Sequence, residues 1–232
     1  MPMEKFDFAN LFENKIKLLY PDGIEWGIVG ILTKNGNVYT LSYDSKILSG
    51  IFEIFCEPIV RSIAKDHDIV VETSAQNVYP DFTLFRENDP TNKIAIEVKS
   101  TYRQYNKKGE LRKFGFTLGS YRSFLRDPKG TKGILYPYSE YSKHWVIGFL
   151  YSRNPDCKIT EIRKIIEASS LQSPYTDIEY FIQEKYKIAG LKPGSGNTTN
   201  IGSFKSSKID DFRIGQGGFE NQEEFEEYWR NF

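Results

Sequence analysis

Tyr79-Pro80-Asp81-Phe82-Thr83-Leu84-Phe85, then Arg86-Glu87-Asn88-Asp89-Pro90-Thr91-Asn92, then Lys93-Ile94-Ala95-Ile96-Glu97-Val98-Lys99: these residues carry a strand, a turn and a second strand. In its last part Ile94, Ile96 and Val98 alternate with Ala95, Glu97 and Lys99, which is the period of a β-strand. Residues two apart share a face, so Glu97 and Lys99 project together, roughly 7 Å apart along the backbone. The run from Asp81 to Phe85 is strand-like as well. The seven residues between are rich in turn formers and hold a proline, which cannot donate to a ladder. As the loop of an antiparallel hairpin they set Phe85 opposite Lys93 and Asp81 directly opposite Glu97.

Opposed residues on one face of such a pair lie about 4.5–5.5 Å apart at Cβ. Two carboxylates that close repel each other, and a divalent cation between them removes the cost. Oxygen donors of this kind suit Mg2+, which keeps several waters. Lys99 beside them is placed to orient an attacking water or to stabilise charge developing on a phosphate. Two acids and an amine on neighbouring strands are the minimum equipment for phosphodiester hydrolysis. By spacing alone, the same pattern also describes a surface hairpin with a salt bridge.

Other stretches add a resemblance. Pro80-Asp81 with Glu97-Val98-Lys99 is similar to the PD-(D/E)xK signature of nucleases. The run Gly194-Ser195-Gly196-Asn197-Thr198-Thr199-Asn200-Ile201-Gly202 closely resembles the recognition loop of the EcoRV-like type II restriction endonucleases. Lys46-Ile47-Leu48-Ser49 before Ile51-Phe52-Glu53, Gln76-Asn77 before Tyr79-Pro80-Asp81, Phe116-Thr117-Leu118-Gly119, His144-Trp145 and Tyr228-Trp229-Arg230-Asn231 follow the same pattern. The likeness runs in order along nearly the whole chain.

The resemblance implies an α/β fold with a mixed central β-sheet flanked by helices. It implies a homodimer that cuts double-stranded DNA with Mg2+ at palindromic GATATC, bluntly at the centre, each subunit reading one half of the site. Asp81 and Glu97 correspond to metal ligands, Glu53 to an acid near the site that joins in metal binding, and Lys99 to the catalytic lysine. The loop Gly194, Ser195, Gly196, Asn197, Thr198, Thr199 and Asn200 is expected in the major groove, Gln76 and Asn77 near the minor groove, and Ser100 and Thr101 at the DNA backbone. Segments at about 27–41 and 154–172 are the expected dimerisation subdomain. A cognate DNA methyltransferase is expected in the host, not as a stable subunit. The chain departs from the family at Glu97 (Asp in the family), Val78 (His) and Pro193 (Ala), and the family's basic tail has no counterpart before Phe232. A repair or junction nuclease of the same fold, and a specific DNA-binding protein that does not cleave, are the alternatives.

The residues of the glycine-flanked loop suit that role on chemical grounds. Small residues let backbone approach a nucleic acid closely, while Asn pairs with adenine and the Thr methyl contacts thymine. The loop lacks the lysine and spacing of a phosphate-binding loop, which argues against nucleotide hydrolysis.

Composition is compatible with this. At 232 residues the chain buries a substantial core as one catalytic and DNA-binding domain, 1–232. Two cysteines suggest no disulfide framework. No apolar run is long enough for a bilayer and no signal pattern precedes the chain, so the bacterial cytoplasm is expected. Net charge is +0, which disfavours indiscriminate coating of DNA. The charge is unevenly spread, however. Lys99 to Lys132 is strongly basic and Asp210 to Glu227 strongly acidic, an asymmetry that allows a phosphate-facing surface on a neutral protein.

Coarse periodicity predicts an amphipathic helix over 4–20 and a hairpin turning at Asn35-Gly36. A long helix is predicted from about Ser45 to Ala64, kinked or restarted at Pro58, with Lys46, Gly50, Glu53 and Glu57 as its polar stripe. Asp66-His67-Asp68 reads as the end of that helix and not as a metal site. Further helices are predicted near 118–126 and 222–228, and a buried strand over 144–151, where His144 reads as structural. The stretch 156–190 reads as a short helix followed by a further helical run, and 190–203 as a loop.

Overall fold

The alternating run around Glu97 lies in the longest strand of a five-stranded mixed sheet. The protein is described here by a computed structural model covering residues 3, 6–23, 25–44, 47–119, 121–194 and 200–232. In chain order the sheet strands are β3 (Val70–Thr73), β4 (Phe82–Arg86), β5 (Asp89–Tyr102), β6 (Tyr141–Arg153) and β8 (Tyr175–Glu184). They are hydrogen-bonded in the order β3-β4-β5-β6-β8, with β5 and β6 parallel and the other pairs antiparallel.

The alternation of β5 is explained by what covers each face. Ile94, Ile96 and Val98 enter a core with Phe8, Phe12, Phe52 and Phe149. That side is closed by α1 (Phe8–Leu19) and α2 (Leu48–Asp66). Ala95 enters a second core with Val146, Phe181, Phe212 and Trp229. That side is closed by α5 (Ile209–Ile214) and α6 (Gln222–Asn231), with the short α3 (Tyr121–Arg126) against α6. Both faces are therefore dry, and β5 reads as nearly continuously buried from Lys93 to Val98.

α1 begins where the Asp7 side chain accepts a hydrogen bond from the Asn10 amide at 3.2 Å, satisfying a first-turn donor. α2 buries Leu48, Ile51, Phe52, Cys56, Ile59, Val60 and Ile63, a stripe at helical spacing. Phe52 stacks on Phe149 with centroids 4.4 Å apart, and burying such a ring contributes about 1.5–3 kcal/mol. The helix runs unbroken past Pro58, which corrects the expected restart. Pro58 and Ile54 lie on its exposed side, where water can satisfy the carbonyl that proline leaves without a donor. The helix ends at His67, and Asp68 takes a positive φ of 52° as the chain turns into β3.

The hairpin register around Asp81 follows the prediction, but its loop is shorter. Phe82 faces Ile96, Thr83 faces Ala95 and Leu84 faces Ile94. β4 and β5 then continue through a register shift to an Arg86–Asp89 pair, so only Glu87 and Asn88 form the turn. Pro90 lies within β5 ahead of the first residue paired to β6, Lys93, where no ladder donor is required of it.

A second sheet joins β1 (Gly30–Leu32), β2 (Asn37–Thr40) and β7 (Ile162–Lys164). The turn between β1 and β2 holds Gly36 at φ 79°, the left-handed conformation that hairpin turns require. β7 is followed by a 3-10 helix, Ile165–Ser170. The second helical run predicted before residue 190 is instead β8, which pairs along β6 before a single turn, α4 (Lys185–Ile188). The glycine-rich segment is not all loop either. β9 (Ala189–Pro193) and β10 (Ile201–Ser203) pair antiparallel and present residues 194–200 between them.

Candidate active site

Asp81 sits just ahead of β4, where ladder pairing to β5 ends at Phe82 and Ile96. Beyond that pair its Oδ2 accepts a hydrogen bond from the Val98 amide at 2.6 Å, in place of a ladder carbonyl. The acid is thus tied to the backbone of the strand that carries Glu97 and Lys99. The Lys99 ammonium lies 2.9 Å from Glu97 Oε1 and 3.9 Å from Asp81 Oδ2. The three predicted residues are therefore brought together, although Asp81 lies outside the regular ladder.

Their solvent access differs. Side chains of Asp81 and Lys99 are each 24% exposed, whereas Glu97 is at 6%. Glu97 Oε2 is ion-paired to Lys185, a lysine only 1% exposed in the first residue of α4. The Lys185 ammonium also lies 3.5 Å from the Tyr79 hydroxyl and 4.5 Å from the centre of its ring. Tyr79 in turn hydrogen-bonds His144 Nδ1 at 2.6 Å. His144 stacks on Tyr138 with centroids 4.8 Å apart, which makes it a packing element of this polar core, as expected. Burial, and then the nearby Lys185 charge, keep its imidazole neutral.

The charges decide which groups ionise. Burial opposes the charge on Glu97, but Lys185 and Lys99 overcome it and hold its carboxyl below the ordinary range. Burial also opposes the charge on Lys99, and the carboxylates of Glu97 and Asp81 outweigh it, so Lys99 stays protonated. Asp81 moves the other way. Burial raises it, assisted by Glu97 and resisted by Lys99. Glu53, half-buried on α2, is pushed up to about 7 by burial and by the negative charge of Asp81. It is within electrostatic reach of the pair, yet among the described residues no three His, Cys, Asp or Glu side chains gather into a closed metal cage. Of its predicted polar stripe, Gly50 is half-buried, Glu57 pairs with Arg61 at 2.7 Å, and Lys46 lies outside the described residues.

The predicted nucleic-acid contacts fall on three separate segments. Ser100 and Thr101 continue β5 past Lys99, both half-buried. Gln76 and Asn77 form an exposed turn between β3 and β4, with Asn77 at φ 64°. Gly194 and Asn200 close the mouth of the glycine-flanked loop, the Gly194 amide donating to the Asn200 carbonyl at 2.8 Å. A Cβ on Gly194 would sit 3.2 Å from both the Ile201 carbonyl and the Thr117 side chain, so the site has little room for a larger residue. Ser195, Gly196, Asn197, Thr198 and Thr199 lie outside the described residues.

Two contributors escaped the sequence reading. Lys185 occurs in Gln183-Glu184-Lys185-Tyr186-Lys187, where nothing local distinguishes it from a surface lysine. Gly119, at φ 85°, brings its backbone so close that a Cβ there would lie 3.6 Å from Glu97 Oε1. The Ile201 amide donates to the Gly119 carbonyl at 3.0 Å, so the far leg of the loop rests on the segment that borders Glu97.

The arrangement offers two carboxylates and a fixed ammonium to one half-open cleft. The carboxylates of Asp81 and Glu97 are oxygen donors, the kind that suits a hard cation retaining several waters, so these residues fit Mg2+. Comparison with known proteins agrees with this chemistry. Residues 22–232 match the family described as Restriction endonuclease EcoRV. The chain is 43% identical over 225 residues to the Type II restriction enzyme EcoRV of Escherichia coli, covering 96% of this chain and 89% of that protein.

Proposed function

The chain belongs to the EcoRV restriction endonuclease family and is a type II restriction endonuclease of DNA, and from that premise we propose that it works as a Mg2+-dependent homodimer cutting both strands of GATATC. The reading is carried by the lysine at 2.9 Å from one carboxylate and 3.9 Å from the other, in a cleft open to solvent. Asp81 and Glu97 hold the ion in this reading, with Glu53 as a further acid. A bound Mg2+ supplies a lowered pKa for water and neutralises charge on the leaving oxygen.

The residues of the chain do the rest. Lys99, held protonated by its two acid neighbours, donates to the phosphate and stabilises the charge that builds there. The backbone bond from Val98 to Asp81 keeps that carboxylate aimed into the cleft without cost at the moment of reaction. The loop 194–200 reads base edges from the major groove, Gln76 and Asn77 approach the minor groove, and Ser100 and Thr101 contact the backbone. Likeness of that loop to the family's recognition loop supports GATATC with a blunt central cut.

Residues 1–232 act as one catalytic and DNA-binding domain, with a dimerisation subdomain at about 27–41 and 154–172. The three-stranded sheet supports this assignment, since it brings both segments together. The sheet exposes Ile31, Leu32, Tyr39 and Ile162, and the 3-10 helix after β7 exposes Ile165 and Ile166, the last at 88%, apolar surface of the kind that marks an interface. The bacterial cytoplasm, with a separate methyltransferase protecting host DNA, is the matching setting; among the described residues no helix is long and apolar enough to cross a membrane.

Digestion of a plasmid with mapped GATATC sites, with Mg2+ or with EDTA, tests the proposal. Blunt fragments at those sites with Mg2+, lost in Asp81→Ala, are expected. Cutting elsewhere overturns the site assignment, and full activity of Asp81→Ala overturns the active-site assignment.

A further inference from the structure

Glu97 has both of its oxygens occupied, and the two occupants are unlike. Lys99, on Oε1, is 24% exposed and faces the cleft that also holds Asp81. Lys185, on Oε2, is 1% exposed and lies on the closed side, against the ring and hydroxyl of Tyr79. A buried ion pair is a poor device for stability, since desolvation of both groups consumes most of the attraction and apolar replacements of similar volume are often as stable. A lysine at this depth therefore calls for another explanation, and the geometry provides one. A carboxylate rotates about its terminal bond unless one oxygen is held, and Lys185 holds the oxygen that points away from the cleft. The other side of Glu97 is bounded by Gly119, whose missing Cβ would meet Oε1 at 3.6 Å.

We propose that Lys185 is a positioning residue of the active site: it fixes Glu97 Oε2 on the closed side, so that Oε1 alone is presented toward Asp81 for the divalent ion. The inference rests on the proposed reading of Asp81 and Glu97 as metal ligands. It assigns Lys185 no contact with DNA or with the reacting phosphate. Its place follows from the chain path, because α4 directly precedes β9, the strand that leads to Gly194. The reading loop and the clamp on Glu97 are thus carried by one short segment, residues 185–194. In this arrangement Lys185 remains on Oε2 when the ion arrives, and Lys99 is the group that yields Oε1.

The test is ion binding by the full-length protein without DNA, followed by terbium luminescence sensitised by nearby tyrosines and displaced with Mg2+. Wild type, Asp81→Ala and Lys185→Met are compared, with circular dichroism as a check on folding. Folded Lys185→Met is expected to need at least fivefold more Mg2+ for half-displacement and to bind terbium at least fivefold more weakly. A change below fivefold, or tighter binding from the loss of a competing cation, overturns the assignment. If Asp81→Ala binds as wild type does, the metal-ligand reading falls and this one with it. If Asp81→Ala loses the ion while Lys185→Met keeps it, only the positioning role falls. Should Lys185→Met not fold, Lys185→Met/Glu97→Gln decides, since removing both charges leaves no unpaired buried ion. Recovery of a cooperative melt in the double variant supports the pairing, and a double variant as unfolded as the single one overturns it.

Discussion

Replacing Glu53 by glutamine is expected to stabilise the metal-free protein, and to do so increasingly as pH rises from 4.5 to about 7. Glu53 rises from its ordinary value of 4.5 to about 7, first through burial and then through the charge of Asp81. An acid whose pKa is higher in the folded state holds its proton more tightly there than in the unfolded chain. Folding is therefore unaffected by this group below pH 4.5, and it loses stability as pH rises from 4.5 to 7, after which the full penalty persists. A rise of this size corresponds to about 3 kcal/mol at most. Glu53 is only half-buried, and solvent screening reduces the figure to about 1–2 kcal/mol. For a chain of this length that is a rise of about 2–8 °C in melting temperature. Thermal melts of wild type and Glu53→Gln in EDTA, at pH 5 and pH 8, measure it. The expected difference is small at pH 5 and reaches its full size, in favour of the variant, at pH 8. A Glu53→Gln protein that is equally or less stable at pH 8 refutes the claim that acids crowd this cleft at a cost. Such a cost is what a site prepared for a cation carries, stability being lower where function demands unsatisfied charge.

Lys99→Met should cut cleavage of a GATATC plasmid by about 10²–10³ while DNA binding in EDTA persists, the size found when one preorganised donor is removed; wild-type cleavage rates in this variant would exclude the stabilising role. Ile166→Glu, at a position 88% exposed, should convert the protein to monomers in sedimentation velocity, and an unchanged dimer would place the interface elsewhere. Phe52→Ala removes a buried ring stacked 4.4 Å from Phe149 and should cost about 3–5 kcal/mol in urea unfolding; a loss under 1 kcal/mol would mean that the core between α2 and the sheet is looser than its packing indicates.

Much of the fold was legible because its signals are local. The alternation from Lys93 to Lys99 set the strand and the faces of Glu97 and Lys99, and the turn formers after Phe85 set the hairpin and its register. Even there, the turn tightened to Glu87 and Asn88, since the ladder continues wherever backbone groups find partners. The segment Tyr175–Glu184 shows where local reading fails. Its mixture of Asp, Ile, Glu, Tyr, Phe and Gln suits a helix, but β6 offers an open edge along its length, and pairing there satisfies the backbone and buries Phe181. The same holds for β7, three residues long, which is a strand only because β2 lies beside it. Cleft residues showed the same division: Asp81, Glu97 and Lys99 lie on one hairpin and announced themselves, while nothing near Gly119 in the chain tells that it borders Glu97.

The hairpin, the carboxylate pair with its lysine, the glycine-flanked loop and the family they point to are legible from the chain alone, because each is written in residues within reach of one another. Folding in three dimensions brings Lys185 onto Glu97, rests the far leg of the loop on the segment that borders that carboxylate, and joins residues 30–40 and 162–164 in one sheet. Those outcomes depend on burial and on ladder pairing between distant segments, and neither leaves a period in the sequence. The opening motif accordingly carries its acids and its cleft-facing lysine in plain view, and hides the cation that holds one of them in place.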